Sequence, residues 1–193
     1  MMQTPVLIKM GDLMTDDEFF TFCQMNDTLD FERDSNRNII FMSPTGSQTG
    51  IVNLIIGSKL FSWNETHLFP GYCFDSSTGF LMPNDAVRSP DAAWIQKHRW
   101  EALANEEKEK FAPICPDFVV EVRSKTDSLK YLQEKMAEYI ANGCQLGWLI
   151  DRLEEKVYIY RPQKELIVVE SFDQQLSGED ILPEFVFDLK LIQ

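Results

Sequence analysis

A strand-helix-strand unit near the centre of the chain limits the available folds more than any other feature. Asp117 to Val122 is a short β-prone run with Phe118, Val119 and Val120 in succession, and it reads as a buried strand. Asp127 to Asn142 follows with Leu129, Leu132, Met136, Tyr139 and Ile140 on one helical face, and Gly143 stands at the expected C-terminal stop. Leu146 to Asp151 is the next strand, paired across the charged turn 152–156 with Val157 to Arg161. Leu166 to Glu170 extends the sheet.

The flanking segments add to this unit. Thr15-Asp16-Asp17-Glu18 has the spacing of a capping box and opens a helix over Asp16 to Asn26. Leu29 to Arg33 and Ile39 to Met42 read as a hairpin around the polar turn 34–38, and a helix runs from Ser47 to about Trp63. Two short strands fit between Leu68 and Met82, and Asp91 to Ile95 makes another. The charged segment from Gln96 to Pro116 bridges two strands as a solvated helix or loop. The order is that of an α/β fold, a mixed central sheet flanked by helices. At 193 residues and 44% apolar content the chain is expected to form a single domain over residues 1–193.

Two acids on strand-like runs carry the chemical interest. Asp91 follows Pro90 at the start of one run, and Glu121 sits inside another. A carboxylate on a core strand is costly unless its charge is compensated, and a divalent cation would compensate two at once. If Asp91 and Glu121 emerge at adjacent strand ends, they can share one Mg²⁺ or Mn²⁺, with the Val122 carbonyl a further ligand and waters completing the octahedron. Such an ion polarises a phosphoryl group and activates water. Arg123 or Lys135 could stabilise the charge that builds in the transition state. The helical angle of Lys135 suits that role, and equally suits a flank lysine reaching water. Ser124 is positioned to cap the helix that follows.

Charge and composition narrow the function classes. A net charge of −13 opposes general coating of nucleic acid, so contact with a phosphate backbone must rest on a local basic patch, for which Arg123, Lys125, Lys130 and Lys135 are the candidates. Cys23, Cys73, Cys115 and Cys144 are too widely spaced for a zinc site with His67 or His98, and reduced thiols are expected. Trp94, Trp100 and Trp148 read as core or interface residues rather than base-stacking platforms. Neither a membrane span nor an export signal is evident, and a cytoplasmic location is expected.

Several segments in order resemble one family. They are Ser89-Pro90-Asp91-Ala92-Ala93-Trp94-Ile95, Phe118 to Ser124, Asp127-Ser128-Leu129 with Lys135-Met136 and Tyr139, Asn142-Gly143, and Gly147 to Asp151. With Glu32, Ile39 to Gly46 and Ser77 to Phe80, they resemble the Uma-two family, grouped with restriction endonucleases in the PD-(D/E)XK nuclease superfamily and common in cyanobacteria.

The resemblance implies a restriction-endonuclease-like fold and Mg²⁺- or Mn²⁺-dependent hydrolysis of phosphodiester bonds in DNA. Asp91 and Glu121 would be metal ligands, with Glu32 an additional acid. The superfamily's lysine normally stands two positions after the second acid, where this chain has Arg123. The resemblance therefore implies either an electrostatic role for Arg123 or transfer of the lysine's role to Lys135, which the resembling family also carries on this helix. Nucleases that cut both strands commonly work as dimers, so a homodimer is a candidate assembly. The rival reading is a non-catalytic binding or regulatory module that keeps the fold.

Overall fold

The computed structural model describes residues 6–193; the first five, part of the stretch read above for an export signal, lie outside the described residues. Strand β1 (Val6–Ile8) precedes helix α1 (Asp16–Met25), and the capping box forms as expected. Thr15 Oγ1 accepts from the Glu18 amide at 3.2 Å, while Glu18 Oε2 accepts from the Thr15 amide at 2.8 Å. Strands β2 (Asp30–Arg33) and β3 (Ile39–Met42) make the antiparallel hairpin, followed by α2 (Ser47–Thr66). Next come β4 (Gly71–Asp75), β5 (Phe80–Leu81), β6 (Val87–Arg88) and β7 (Ala92–Gln96).

Two short helices, α3 (Lys97–Glu101) and α4 (Asn105–Lys108), occupy the charged bridge. The central unit is β8 (Phe118–Arg123), α5 (Leu129–Ala141) and β9 (Leu146–Asp151), with β8 and β9 parallel, as a helical crossover requires. Strands β10 (Lys156–Tyr160), β11 (Ile167–Val169), β12 (Gln175–Ser177) and β13 (Val186–Asp188) complete the chain with a terminal 3-10 turn.

The strands form a six-stranded sheet in the order β11-β10-β9-β8-β7-β4, a five-stranded sheet β1-β3-β2-β6-β5, and the hairpin β12-β13. This mixed α/β architecture bears out the expected fold class. Side chains alternate across β8, so its two faces feed different cores. Phe118, Val120 and Val122 meet α2 and the C-terminal residues Phe172, Phe185 and Phe187. Val119 meets Leu132, Met136 and Tyr139 of α5. A third cluster, Phe19, Phe31, Ile39 and Val87, seats α1 on the smaller sheet.

The structure differs from the sequence reading at several short elements. Strands β1 and β6 were not anticipated, because runs of two or three residues carry no periodicity. Ser128, not Ser124, caps α5 by accepting from the Tyr131 amide at 3.4 Å, while the Ser124 amide donates to Asp127. Trp94 and Trp148 lie in the core as expected, and Trp100 packs against its margin. All four cysteines are free thiols.

Candidate active site

Strands β7 and β8 bring the two acids together. Their antiparallel register pairs Ala93 with Val119 and Ala92 with Val120, and one further step places Asp91 opposite Glu121. Asp91 Oδ2 accepts from the Val122 amide at 2.7 Å, which ties the carboxylate to the neighbouring strand just past the last ladder pair. Its Oδ1 accepts from Asn53 Nδ2 of α2 at 2.5 Å. An extended residue directs its N–H and C=O to the same side, so the Val122 carbonyl faces the Asp91 side of β8.

Helix α5 supplies the cation. Gly147 on β9 leaves room for it to sit close: a Cβ there would lie 2.4 Å from Met136 Cε. Next to Met136, Lys135 is only 4% exposed, and its Nζ lies 2.7 Å from Glu121 Oε1 and 2.8 Å from Glu32 Oε1. One turn later, Tyr139 donates its hydroxyl to Glu121 Oε1 at 3.0 Å. Both donors bind the same oxygen, so among the described residues Glu121 Oε2 has no hydrogen-bond donor.

Glu32 comes from the smaller sheet and is wholly enclosed. Its Oε1 accepts from the Ser89 amide at 2.9 Å and its Oε2 from Arg88 at 3.1 Å. Arg88 also donates to Glu138 of α5 at 2.6 Å. The Glu32–Lys135–Glu121 chain therefore fastens the smaller sheet to the larger one beneath the acid pair. Strand β6 leads through Ser89 and Pro90 into Asp91, so one short segment sets both the clamp and the acid.

Burial and charge set the protonation states. Burial raises the Glu121 pKa to about 7 against the pull of Lys135, with Asp91 and Glu32 adding to the rise. Burial likewise raises Asp91, opposed by the Val122 amide and the Lys135 charge. Burial also works against the Glu32 charge, but Lys135 and Arg88 together outweigh it and hold this pKa below the usual carboxylate range. Lys135 itself is desolvated, yet Glu121 and Glu32 raise its pKa, so it stands as an ammonium.

The structure thus gathers Asp91, Glu121, Lys135, Glu32 and Val122, and it sets Arg123 to other work. Arg123 Nη1 lies 2.7 Å from Asp151 Oδ2, and its Nε donates to the Asp127 carbonyl at 3.3 Å. Its charge is neutralised on β9 and the loop before α5. The expected basic patch is corrected accordingly: Arg123 and Lys135 are buried in ion pairs, leaving only Lys125 and Lys130 of the four at the surface. The sequence reading missed Arg88, Ser89, Glu138 and Asn53. Arg88 stands three residues before Asp91, and Asn53 is polar within an apolar helix; those were the available signals.

Whether a divalent cation suits this site can be judged from its donors and charge. Among the described residues no cluster of three or more His, Cys, Asp or Glu side chains is arranged to hold a metal. Mg²⁺ does not need one, since it commonly takes one or two carboxylates and keeps several waters. Four carboxylates, Glu32, Asp91, Glu121 and Glu138, face only two cations, Lys135 and Arg88. With all four ionised, the excess of two negative charges and the unpaired Glu121 oxygen fit a divalent cation. A cleft of about 410 Å³ lined by Phe20, Phe111 and Glu107 lies elsewhere and shares no residue with this cluster.

Comparison with known proteins gives concordant results. A family model described as "Uma2: Putative restriction endonuclease" matches residues 16–190. The crystal structure of a "putative nuclease" from Anabaena variabilis superposes with a TM-score of 0.71 and 23% identity, over 93% of this chain and 97% of that one. At that identity the likeness is one of fold. No curated protein matches. Among the described residues no helix is long and apolar enough to cross a membrane.

Proposed function

The chain belongs to the Uma2 family, and from that premise we propose that it is a divalent-cation-dependent endonuclease that hydrolyses phosphodiester bonds in DNA. The observation that carries this reading is the Lys135 ammonium, held 2.7 Å from Glu121 and 2.8 Å from Glu32, beside the Asp91–Glu121 pair. An ammonium aimed at a pair of carboxylates is the constellation that a PD-(D/E)XK hydrolase needs, assembled here with a helix lysine.

Asp91, Glu121 and the Val122 carbonyl would hold Mg²⁺ or Mn²⁺. When bound, such an ion neutralises phosphoryl charge and lowers the pKa of a coordinated water. The protein's own groups divide the remaining work. Lys135, kept protonated by its two acids, stabilises negative charge on the phosphoryl oxygens; it is a donor, not a base. Glu32, enclosed and out of reach of any substrate, is a positioning residue that fixes Lys135. Tyr139 and Lys135 occupy Glu121 Oε1 and so turn Oε2 toward the cation position. The Val122 amide and Asn53 orient Asp91 by engaging one of its oxygens each.

Arg123 in the superfamily's lysine slot does not argue against activity, because its place is structural and the site already contains a lysine. The experiment is direct. Purified protein is incubated with supercoiled plasmid in Mg²⁺ or Mn²⁺ beside Asp91→Asn and Lys135→Ala variants. Cleavage by the wild type alone supports the reading. Absence of cleavage, with no calorimetric Mg²⁺ binding that depends on Asp91, overturns the reading and leaves the non-catalytic module as its rival.

A further inference from the structure

We infer that Asn53 belongs to the cation site, its amide nitrogen orienting Asp91 and its amide oxygen accepting a hydrogen bond from the cation's water shell. This inference rests on the reading of Asp91 and Glu121 as cation ligands.

Helix α2 turns two asparagines toward the sheet, eleven residues apart and so within about 20° of one another around the axis. They differ in how completely they are bonded. Asn64 is closed: its Nδ2 donates to the Gly71 carbonyl at 3.0 Å, and its Oδ1 accepts from Trp94 Nε1 at 2.9 Å. That is a structural asparagine with both ends of the amide satisfied. Asn53 is open. Its Nδ2 donates to Asp91 Oδ1 at 2.5 Å, while its Oδ1 is buried with no hydrogen-bond partner.

The orientation of the Asn53 amide is set by chemistry. An ionised carboxylate only accepts, so the NH₂ end must face Asp91 and the carbonyl end must face away from it. A buried carbonyl oxygen without a donor is uncommon in a folded protein, and this one lies beside a carboxylate already placed at the metal position. A cation that keeps several waters presents outward-pointing O–H donors there, which is what this acceptor lacks. Asn53 would act on the cation in two ways: through Asp91, and through a coordinated water.

Calorimetric titration of Mg²⁺ and Mn²⁺ into the whole protein tests this directly. Wild type is compared with Asp91→Asn, Asn53→Ala, Asn53→Ser and Asn53→Asp, each first melted without cation to verify folding. The expected result is binding by wild type, loss in Asp91→Asn, and about tenfold weaker binding in Asn53→Ala and Asn53→Ser. Asn53→Asp keeps an oxygen where the acceptor stands but loses the donor to Asp91, and it should bind at least as tightly as wild type while melting lower without cation. Wild-type affinity in both truncations overturns the inference and leaves the Asp91–Glu121 reading intact. Weaker binding by Asn53→Asp than by Asn53→Ala also overturns it, because the amide would then serve only as a donor to Asp91. Absence of binding by the wild type removes the cation reading and this inference together.

Discussion

Lys135 reaches Glu121 at 2.7 Å from the helix that directly follows the strand carrying Glu121. The crossover β8-α5-β9 therefore supplies both members of this pair, and the smaller sheet contributes Glu32 to hold the lysine in place.

This pairing predicts a graded loss of activity. Asp91→Asn and Glu121→Gln should reduce Mg²⁺-dependent plasmid cleavage to background. Lys135→Ala should lower it by about a hundred- to a thousandfold, the scale for losing one preorganised donor to transition-state charge. Lys135→Arg should not restore it, since a planar guanidinium does not fit a 4% exposed slot shaped for an ammonium between two acids. Single-turnover rates at saturating cation measure all four.

The Glu32 clamp predicts a stability effect. Glu32→Ala leaves Lys135 and Arg88 buried with fewer carboxylates, and breaking a buried pair in this way costs about 3–5 kcal/mol. Urea denaturation should show a lower midpoint with an unchanged slope. A midpoint like that of the wild type would mean that the two cations find other partners.

Proton linkage at Glu121 gives a pH signature. Its carboxyl titrates near 7 in the folded protein against an ordinary value of 4.5. Between those values the folded state holds a proton that the unfolded chain has released, so this group's contribution to stability falls as pH rises from about 4.5 to about 7. Glu121→Gln lacks this titration, and its melting temperature relative to wild type should climb across that window in cation-free buffer. On the proposed reading Mg²⁺ would bind the ionised carboxylate, so its addition should shrink the difference at pH 8. Glu32, whose pKa is lowered, contributes in the opposite sense and in a lower window, losing its stabilisation as pH falls below the ordinary glutamate value.

Arg123 should behave as a structural residue. Arg123→Lys, which puts a lysine two positions after Glu121, retains a partner for Asp151 but loses the bond to the Asp127 carbonyl. It should lower the melting temperature modestly and leave the cleavage rate of folded protein within a few-fold of wild type. A large gain in rate would show that the guanidinium occupies a position where an ammonium serves better.

Surface charge predicts weak, salt-sensitive DNA binding. With Arg123 and Lys135 buried, Lys125 and Lys130 are the exposed cations of the strand-helix unit, and the net charge is −13. Lys125→Ala with Lys130→Ala should weaken DNA binding by a small factor and reduce the slope of log affinity against log salt by about two. Fluorescence anisotropy in Ca²⁺ at several salt concentrations measures that slope.

Local order was legible without the fold. The periodicity of Leu129, Leu132, Met136 and Tyr139, the Thr15–Glu18 capping box, and the apolar runs at 118–122 and 146–151 marked the helices and strands, because each signal lies within one element. The order of Asp91, Glu121 and Lys135 was also evident, since family motifs are read along the chain. Only the tertiary structure decided how those residues are used. It set Arg123 on Asp151, 28 residues away; it enclosed Glu32 between Arg88 and Lys135; and it brought Asn53 to Asp91 from 38 residues away. A buried side chain chooses its partner by the geometry of packed sheets and helices and by the cost of an uncompensated charge. Neither is written in the spacing of residues along the chain.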